Sequence, residues 1–447
     1  GWPGRSRRWA ASSGRPIHAF PGWRLMKLAV IGAGWAGLTA AVAAVRAGLD
    51  VTVFEAARTL GGRARGLPVL LPDGSTTMLD NGQHIMIGAY SQTLRLMREV
   101  GVEPERLLLR LPLTLRFPDG KGVALPDWPA PLDAAAGVLF AKGWGWRDKL
   151  GLLRAMARWR RAGFRCGESE SVAALCEGLT PRVMAELIEP LCISALNTPA
   201  SRSSAQVFLR VLRDALFGAG DGRWRASNLL LPRCDLGGLF PDAASRWLAT
   251  HGATLQLARR VVALSPDDGA WQVDGERFDK VILACPAREA ARLVEGSGAA
   301  ATDWAERANA LQYEAIATIY ALGAPRLPRP MLALRSGPDA PAQFVFDRAQ
   351  LGGPTGLVAF VVSASQGDHA TLERQVLAQS HALGWPGLRA VQTVVERRAT
   401  FACFPGVRRP PVRVAAGLLA CGDYVEGPYP STLEGAVRSA LEAAALL

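Results

Sequence analysis

At 447 residues the chain is too long for one small domain and has the length of a two-domain enzyme with a sizeable buried core. The hydrophobic fraction is 49%, but the one long apolar run, residues 28–45, is interrupted by Gly32, Gly34 and Gly37. It also falls short of the roughly 20 residues a bilayer span requires, so no transmembrane helix is expected. The net charge is +12, and the seven cysteines form no CxxC pair, which argues against zinc or a redox disulfide and fits a reducing, cytoplasmic setting.

Residues 1–25 carry five arginines, no acids and no apolar stretch, so they lack the h-region of a secretory signal. They are read as a disordered upstream extension, with Met26 as the natural start; subtracting their five charges from +12 leaves +7. Residues 27–31 are then predicted as a short apolar strand, 35–47 as an alanine-rich helix ended by Gly48, and 51–54 as a second strand. The turn between the first two reads Gly32-Ala33-Gly34-Trp35-Ala36-Gly37. The first glycine makes the tight turn, the second lets a pyrophosphate approach the backbone, and the third permits close packing of helix on strand. The phosphates sit at the helix N-terminus, around Trp35 and Ala36, where N–H groups and the dipole favour anions. Glu55, 18 residues after Gly37, is placed to accept hydrogen bonds from ribose hydroxyls. With strand, helix and acid all in place the motif specifies a dinucleotide site, without separating NAD from FAD.

Farther along, Gly61-Gly62-Arg63 offers a second stretch of bare backbone to the phosphates and a permanent cation beside it. Pro72-Asp73-Gly74 and Pro118-Asp119-Gly120 each sit between strand-like runs and read as hairpin turns. Asp80, His84 and Tyr90 follow as titratable groups. From 131 to about 216 the pattern is mostly helical, and within it residues 142–165 hold eight basic residues against one acid, Asp148, together with three tryptophans. On a helix there, Trp146, Leu150, Leu153 and Ala157 share one face and the arginines another. Two readings stand: a surface helix with its apolar face on the core, or a monotopic contact with an anionic membrane. No nucleic-acid fold accompanies the stretch, and nucleic acid is not expected as a partner. Strands return at 261–264, 271–273 and 278–284. A last strand, 417–421, stops at Gly422-Asp423, and Ser431 to Glu434 has the S-x-x-E form of a capping box opening the final helix.

The glycine doublet with Arg63, the strands 261–264 and 278–284, and the closing Gly422-Asp423 loop and helix together resemble the amine oxidase and phytoene desaturase superfamily of flavoproteins. The resemblance implies an α/β fold in which a Rossmann-like FAD-binding domain (26–90, 225–290 and 400–447) is interleaved with an α+β substrate-binding domain (91–224 and 291–399). It further implies FAD as cofactor, Val262 beside adenine, Asp423 on the ribityl chain, and the last helix, starting near Thr432 and Leu433, aimed at the pyrimidine side of the flavin. More narrowly, residues 79–84, 191–199 and 422–435 look like those of the hydroxysqualene dehydroxylases of bacterial hopanoid pathways. That family resemblance implies reductive loss of a hydroxyl from hydroxysqualene to give squalene, with hydride from reduced flavin.

Such chemistry needs an acid for the leaving hydroxyl and apolar walls that keep water from the allylic cation. His84, Asp80 and Tyr90 are the catalytic candidates, with Glu426 and Tyr429 from the closing loop; for His84 a structural role stands beside the catalytic one. Residues 187–195, Phe208 and Phe217 are expected either to line the pocket or to pack in the core. There is no second GxGxxG, so the electron donor is external, and no HExxH, Walker or GxSxG motif, so no metal site or hydrolase chemistry is expected. The competing readings are a carotenoid-type desaturase, an amine or protoporphyrinogen oxidase, and a non-catalytic FAD-containing lipid carrier.

Overall fold

The computed structural model describes residues 25–447; apart from Leu25, the extension expected at 1–25 lies outside them. A six-stranded sheet runs in the order Thr254–Gln256, Asp50–Phe54, Lys27–Ile31, Lys280–Leu283, Leu418–Ala420, Arg413–Ala415. All neighbours are parallel except the last pair. Strands such as LAVI and VIL are continuous apolar runs because the central strands of a parallel sheet are buried on both faces, and residues 28–31 and 281–283 are accordingly buried. The helix Trp35–Arg46 packs against the final helix, Leu433–Ala445. The apolar run 28–45 is therefore one strand and most of one helix, and no helix of the described residues is long and apolar enough to cross a membrane.

Both expected hairpins form, Gly66–Leu70 with Thr76–Asp80 and Thr114–Arg116 with Gly122–Ala124. Two strand expectations need correction. The run 278–284 is split: Glu276–Phe278 closes a three-stranded meander, while Lys280–Leu283 enters the parallel sheet. The break falls at Asp279, whose carboxylate accepts from the Lys27 N–H at 2.7 Å and whose N–H donates to the Lys27 carbonyl at 2.9 Å. The strand expected at 261–264 begins only at Leu264. The N–H groups of Val262 and Ala263 both donate to the Asp274 carboxylate, at 2.9 and 2.8 Å, which removes them from any ladder.

A second, antiparallel sheet runs in the order Met331–Ala333, Phe344–Asp347, Leu357–Ser363, Tyr313–Leu322, Arg389–Phe401. Helix His369–Ala382 covers one face of it through Leu372 and Val376, and the other face joins the main core. The basic stretch forms helix Trp146–Arg161, but its buried stripe is Leu152, Ala155 and Trp159. Of the face that carries Trp146, Leu150, Leu153 and Ala157, left between the core and a membrane by the sequence, Trp146 is 70% exposed and Leu150 and Ala157 are exposed, while Leu153 packs partly buried on the core. Both stripes satisfy the helical spacing; contact with the neighbouring helix Leu132–Leu139 and with the core decides between them.

Candidate active site

A continuous cavity of about 940 Å³ opens at the carboxyl ends of the parallel strands and extends into the helical layer, the usual place for a ligand in such a sheet. Gly32, Gly34, Trp35, Ala36, Glu55, Gly61, Gly62 and Arg63 line its first part. The glycine doublet lies directly on the first turn: Gly61 pairs with Gly34, and its N–H donates to the Ala33 carbonyl at 2.9 Å. Gly61 and Gly62 both take positive φ, 92° and 61°, a conformation that favours glycine. A Cβ on Gly34 would meet nothing nearer than the Gly62 Cα at 3.9 Å, so the space in front of it is a cradle that only a side chain or a ligand fills. No side chain caps the helix that starts there, which leaves first-turn N–H groups for an anion. Gly37 is set behind the cradle, where a Cβ would fall 1.8 Å from the Gly32 carbonyl oxygen. The Glu55 carboxylate accepts from the N–H groups of Ala33 and Ala57 at 2.7 and 2.8 Å and keeps acceptor capacity for a ribose.

Arg63 donates to the Ala399 carbonyl at 2.6 Å and pairs with Asp423, which joins the second glycine motif to the closing loop. Gly422 and Asp423 line the cavity beside Thr432 and Leu433. The last helix begins at Leu433 with Thr432 as its cap, the hydroxyl accepting from the Gly435 N–H at 2.9 Å. The capping box expected from Ser431 and Glu434 does not form. Ser431 donates instead to the Phe401 carbonyl at 3.1 Å. Glu434 is fully buried and accepts from the N–H groups of Gln92 and Thr93, at 3.2 and 3.0 Å, and from the Thr93 hydroxyl at 2.7 Å. It thus caps a different helix, Ser91–Glu99.

Val262 is a second correction: it is 64% exposed and off the cavity, while Val261 is buried and lines it. Arg259, Arg260 and Arg288 also face this end. They were missed as site residues, although the Arg259-Arg260 pair directly before the two valines was a readable signal for a polyanion.

The catalytic candidates separate. Asp80 does not line the cavity; it is buried behind the wall, with one oxygen accepting from the Leu236 N–H at 2.8 Å and the other without a partner. Burial pushes its carboxyl up to about 7, against the opposing Arg348 cation. Between the ordinary carboxylate range near 3.8 and about 7 the folded chain holds a proton that the unfolded chain has lost, so stability falls as pH rises through that window. Asp80→Asn is expected to remove this loss, by a few kcal/mol. Its melting temperature relative to the native chain should be higher near pH 8 than near pH 5, and equal differences at both would refute the assignment.

His84 lines the cavity, and its Nδ1 lies 2.6 Å from the Gly82 carbonyl. A carbonyl only accepts, so Nδ1 carries the hydrogen; burial holds the ring pKa below its usual value, and the neutral ring presents an unprotonated Nε2. Tyr90 lines the cavity and burial pushes its phenol well up. Glu426 is exposed and outside it. Tyr429 lines it and donates to the Asp214 carboxylate at 2.6 Å. Asp214, on helix Ala205–Phe217, also faces the cavity and escaped notice in the sequence; as the only acid in that helix it was the available signal. Around this pair the walls are largely apolar, with Leu187, Ile188 and Leu191 from the 187–195 run, Phe208, Phe217 and Trp159. Asn197, just after that run, caps a helix in the left-handed conformation and accepts from the Ala364 N–H at 2.6 Å.

The sequence profile of the flavin-containing amine oxidoreductases matches residues 35–447. A hydroxysqualene dehydroxylase of Rhodopseudomonas palustris is 31% identical over 94% of this chain and 97% of its own length. One of Sinorhizobium fredii is 28% identical over 93% and 97%. The crystal structure of an oxidoreductase from Methanosarcina mazei, 18% identical, covers 93% of this chain and 99% of its own with a TM-score of 0.70, which speaks for the fold alone. The cofactor is FAD, and the glycine cradle, Glu55 and the Arg63–Asp423 pair are residues suited to its phosphates, ribose and ribityl chain. The chain is thus an FAD-dependent oxidoreductase of α/β fold and belongs, within the flavin-containing amine oxidoreductases, to the hydroxysqualene dehydroxylase family.

Proposed function

We propose that the chain converts hydroxysqualene to squalene by reductive dehydroxylation. The observation that carries this reading is the shape of the cavity: a dinucleotide cradle continues without a break into a long, largely apolar space that also holds the Tyr429–Asp214 pair. One hydride and one proton turn C–OH into C–H and release water. FAD, reduced by an external donor, supplies the hydride when bound. The chain's own part is to orient and to exclude. Arg63 and Asp423 fix the cofactor end, and the apolar walls keep water from recapturing the allylic cation left by the departing hydroxyl. The Tyr429 hydroxyl, whose one hydrogen is held by Asp214 in the free chain, turns that hydrogen to the leaving oxygen when the substrate binds. The cofactor segments 26–90, 225–290 and 400–447 and the substrate segments 91–224 and 291–399 are the division of labour this reading requires.

Anaerobic reduction of the flavin followed by addition of hydroxysqualene is the direct test. Reoxidation matched mole for mole by squalene, identified by mass spectrometry, is the expected result. A flavin that stays reduced while the alcohol returns unchanged would sink the reading, and flavin reduced by a saturated polyprene would favour a desaturase in its place.

A further inference from the structure

The wall over the apolar end of the cavity consists in part of helices Leu132–Leu139 and Trp146–Arg161, which pack against each other. Their inner faces, through Ala134, Val138, Leu152, Met156 and Trp159, line the cavity. Their outer side is unlike the rest of the surface. Of the twelve large hydrophobic side chains exposed among the described residues, six are Trp128, Leu132, Leu139, Phe140, Trp146 and Leu150, so half of them gather on this pair and the segments at its ends. Phe140 is 68% exposed and Trp146 70%. Around them lie the eight basic residues of 142–165, none of which forms an ion pair among the described residues. The single acid of the stretch, Asp148, is turned inward to the Gly145 N–H and the Thr180 hydroxyl, at 2.8 and 2.6 Å. Lys149 sits over the Trp146 ring at 5.4 Å, leaving cation and aromatic side by side.

We propose that this helix pair docks on an anionic phospholipid surface, with Phe140, Trp146 and Leu150 in the layer between headgroups and acyl chains and the surrounding arginines on the phosphates. Aromatic and aliphatic tips projecting beyond unpaired cations match that layer, where apolar burial and attraction to anionic lipid add. A second copy of the chain fits poorly, because a two-fold contact would set the same cations against each other. Nucleic acid supplies phosphate, but no nucleic-acid-binding fold accompanies the patch, and the aliphatic Leu139 and Leu150 tips bury more apolar surface in acyl chains than against a duplex. Because the docking face and the cavity wall are opposite sides of the same two helices, a lipid-soluble substrate would pass between bilayer and cavity across one helical layer. That consequence rests on the proposed function; the docking itself does not.

Flotation of the full-length holoprotein with vesicles tests the surface. Vesicles of phosphatidylcholine containing about one-third phosphatidylglycerol are expected to carry the protein, and pure phosphatidylcholine vesicles to carry little. Phe140→Ser with Trp146→Ser should lower the floated fraction at least about fivefold, and Arg147→Glu with Arg154→Glu should abolish the preference for the anionic lipid. Flavin content and turnover of detergent-dispersed hydroxysqualene should be unchanged in both double variants. Absence of flotation with anionic vesicles, or undiminished flotation of the serine variant, overturns the proposal. So does retention on a DNA duplex, or a concentration-dependent dimer broken by the same variants, if vesicles do not bind. Flotation needs no turnover, so failed dehydroxylation with intact flotation refutes the activity and leaves the docking.

Discussion

Gly34→Val is expected to give a folded but colourless protein, whereas Gly37→Ala should fail to fold stably at all. The two glycines sit three residues apart in one motif, and their surroundings are opposite. Gly34 has φ −73° and ψ −177°, ordinary extended backbone that valine adopts readily, and its missing Cβ faces open space. The added methyl groups would occupy the cradle where the phosphates of FAD approach. Overpacking of that kind costs about 1–3 kcal/mol, roughly 5- to 150-fold in affinity, with the upper end expected because backbone forms the opposing wall. At Gly37 the added carbon would lie 1.8 Å from a carbonyl oxygen and 2.9 Å from its carbon, and neither can swing away as a side chain could. Flavin absorbance per protein, read beside a circular-dichroism melt, separates the two. Native flavin content in Gly34→Val would remove the cradle from the argument.

The second large effect is expected at the other end of the cavity. Tyr429→Phe should lower turnover by about 10²- to 10⁴-fold, the usual worth of a positioned proton donor, while flavin content stays native. Burial pushes the Tyr429 phenol up to about 12, so the hydroxyl keeps its hydrogen throughout the working range and the rate should show no Tyr429 titration below about pH 11. Asp214→Asn should cost less than the loss of the phenol, because an amide oxygen still accepts from it but carries no charge. His84→Ala, with the flavin retained, should leave most of the rate. A Tyr429→Phe enzyme turning over within a few-fold of native, while His84→Ala is dead, would reverse the roles.

The cofactor end was legible in the sequence because its chemistry is local. The tight turn at Gly32, the bare backbone at Gly34 and Gly61-Gly62, and the acid after the second strand are demands made by neighbouring residues on one another. The pairing of Arg63 with Asp423 was not legible, since 360 residues separate them; the resemblance placed each on the cofactor but not on the other. Where the reading slipped, phase or partner was at fault. Val261 and Val262 are equivalent as residue types, and the Asp274 carboxylate, 12 residues beyond Val262, holds the Val262 N–H and so fixes which one turns inward. Ser431 and Thr432 are both able to cap, and the burial of Glu434 under Thr93 leaves that role to Thr432. Helix Trp146–Arg161 carries two apolar stripes, so spacing alone does not name the buried one. Asp214 stands in an amphipathic helix as an acid of no special context until Tyr429 arrives from the end of the chain.

The order of strands in the parallel sheet bears on how the protein is made. The strand Leu418–Ala420 pairs with Lys280–Leu283, which pairs with Lys27–Ile31, and Asp423 follows that late strand directly. During synthesis at about 5–20 residues per second, the glycine cradle leaves the ribosome on the order of tens of seconds before the segment that completes it. Until then the nascent chain exposes a half-built parallel sheet, with the partner edge of Lys280–Leu283 unpaired, a state prone to association. Holoenzyme yield should therefore be set by how long that interval lasts and by the chaperones that cover it, with free FAD able to trap the chain only once its last thirty or so residues have folded back onto its first.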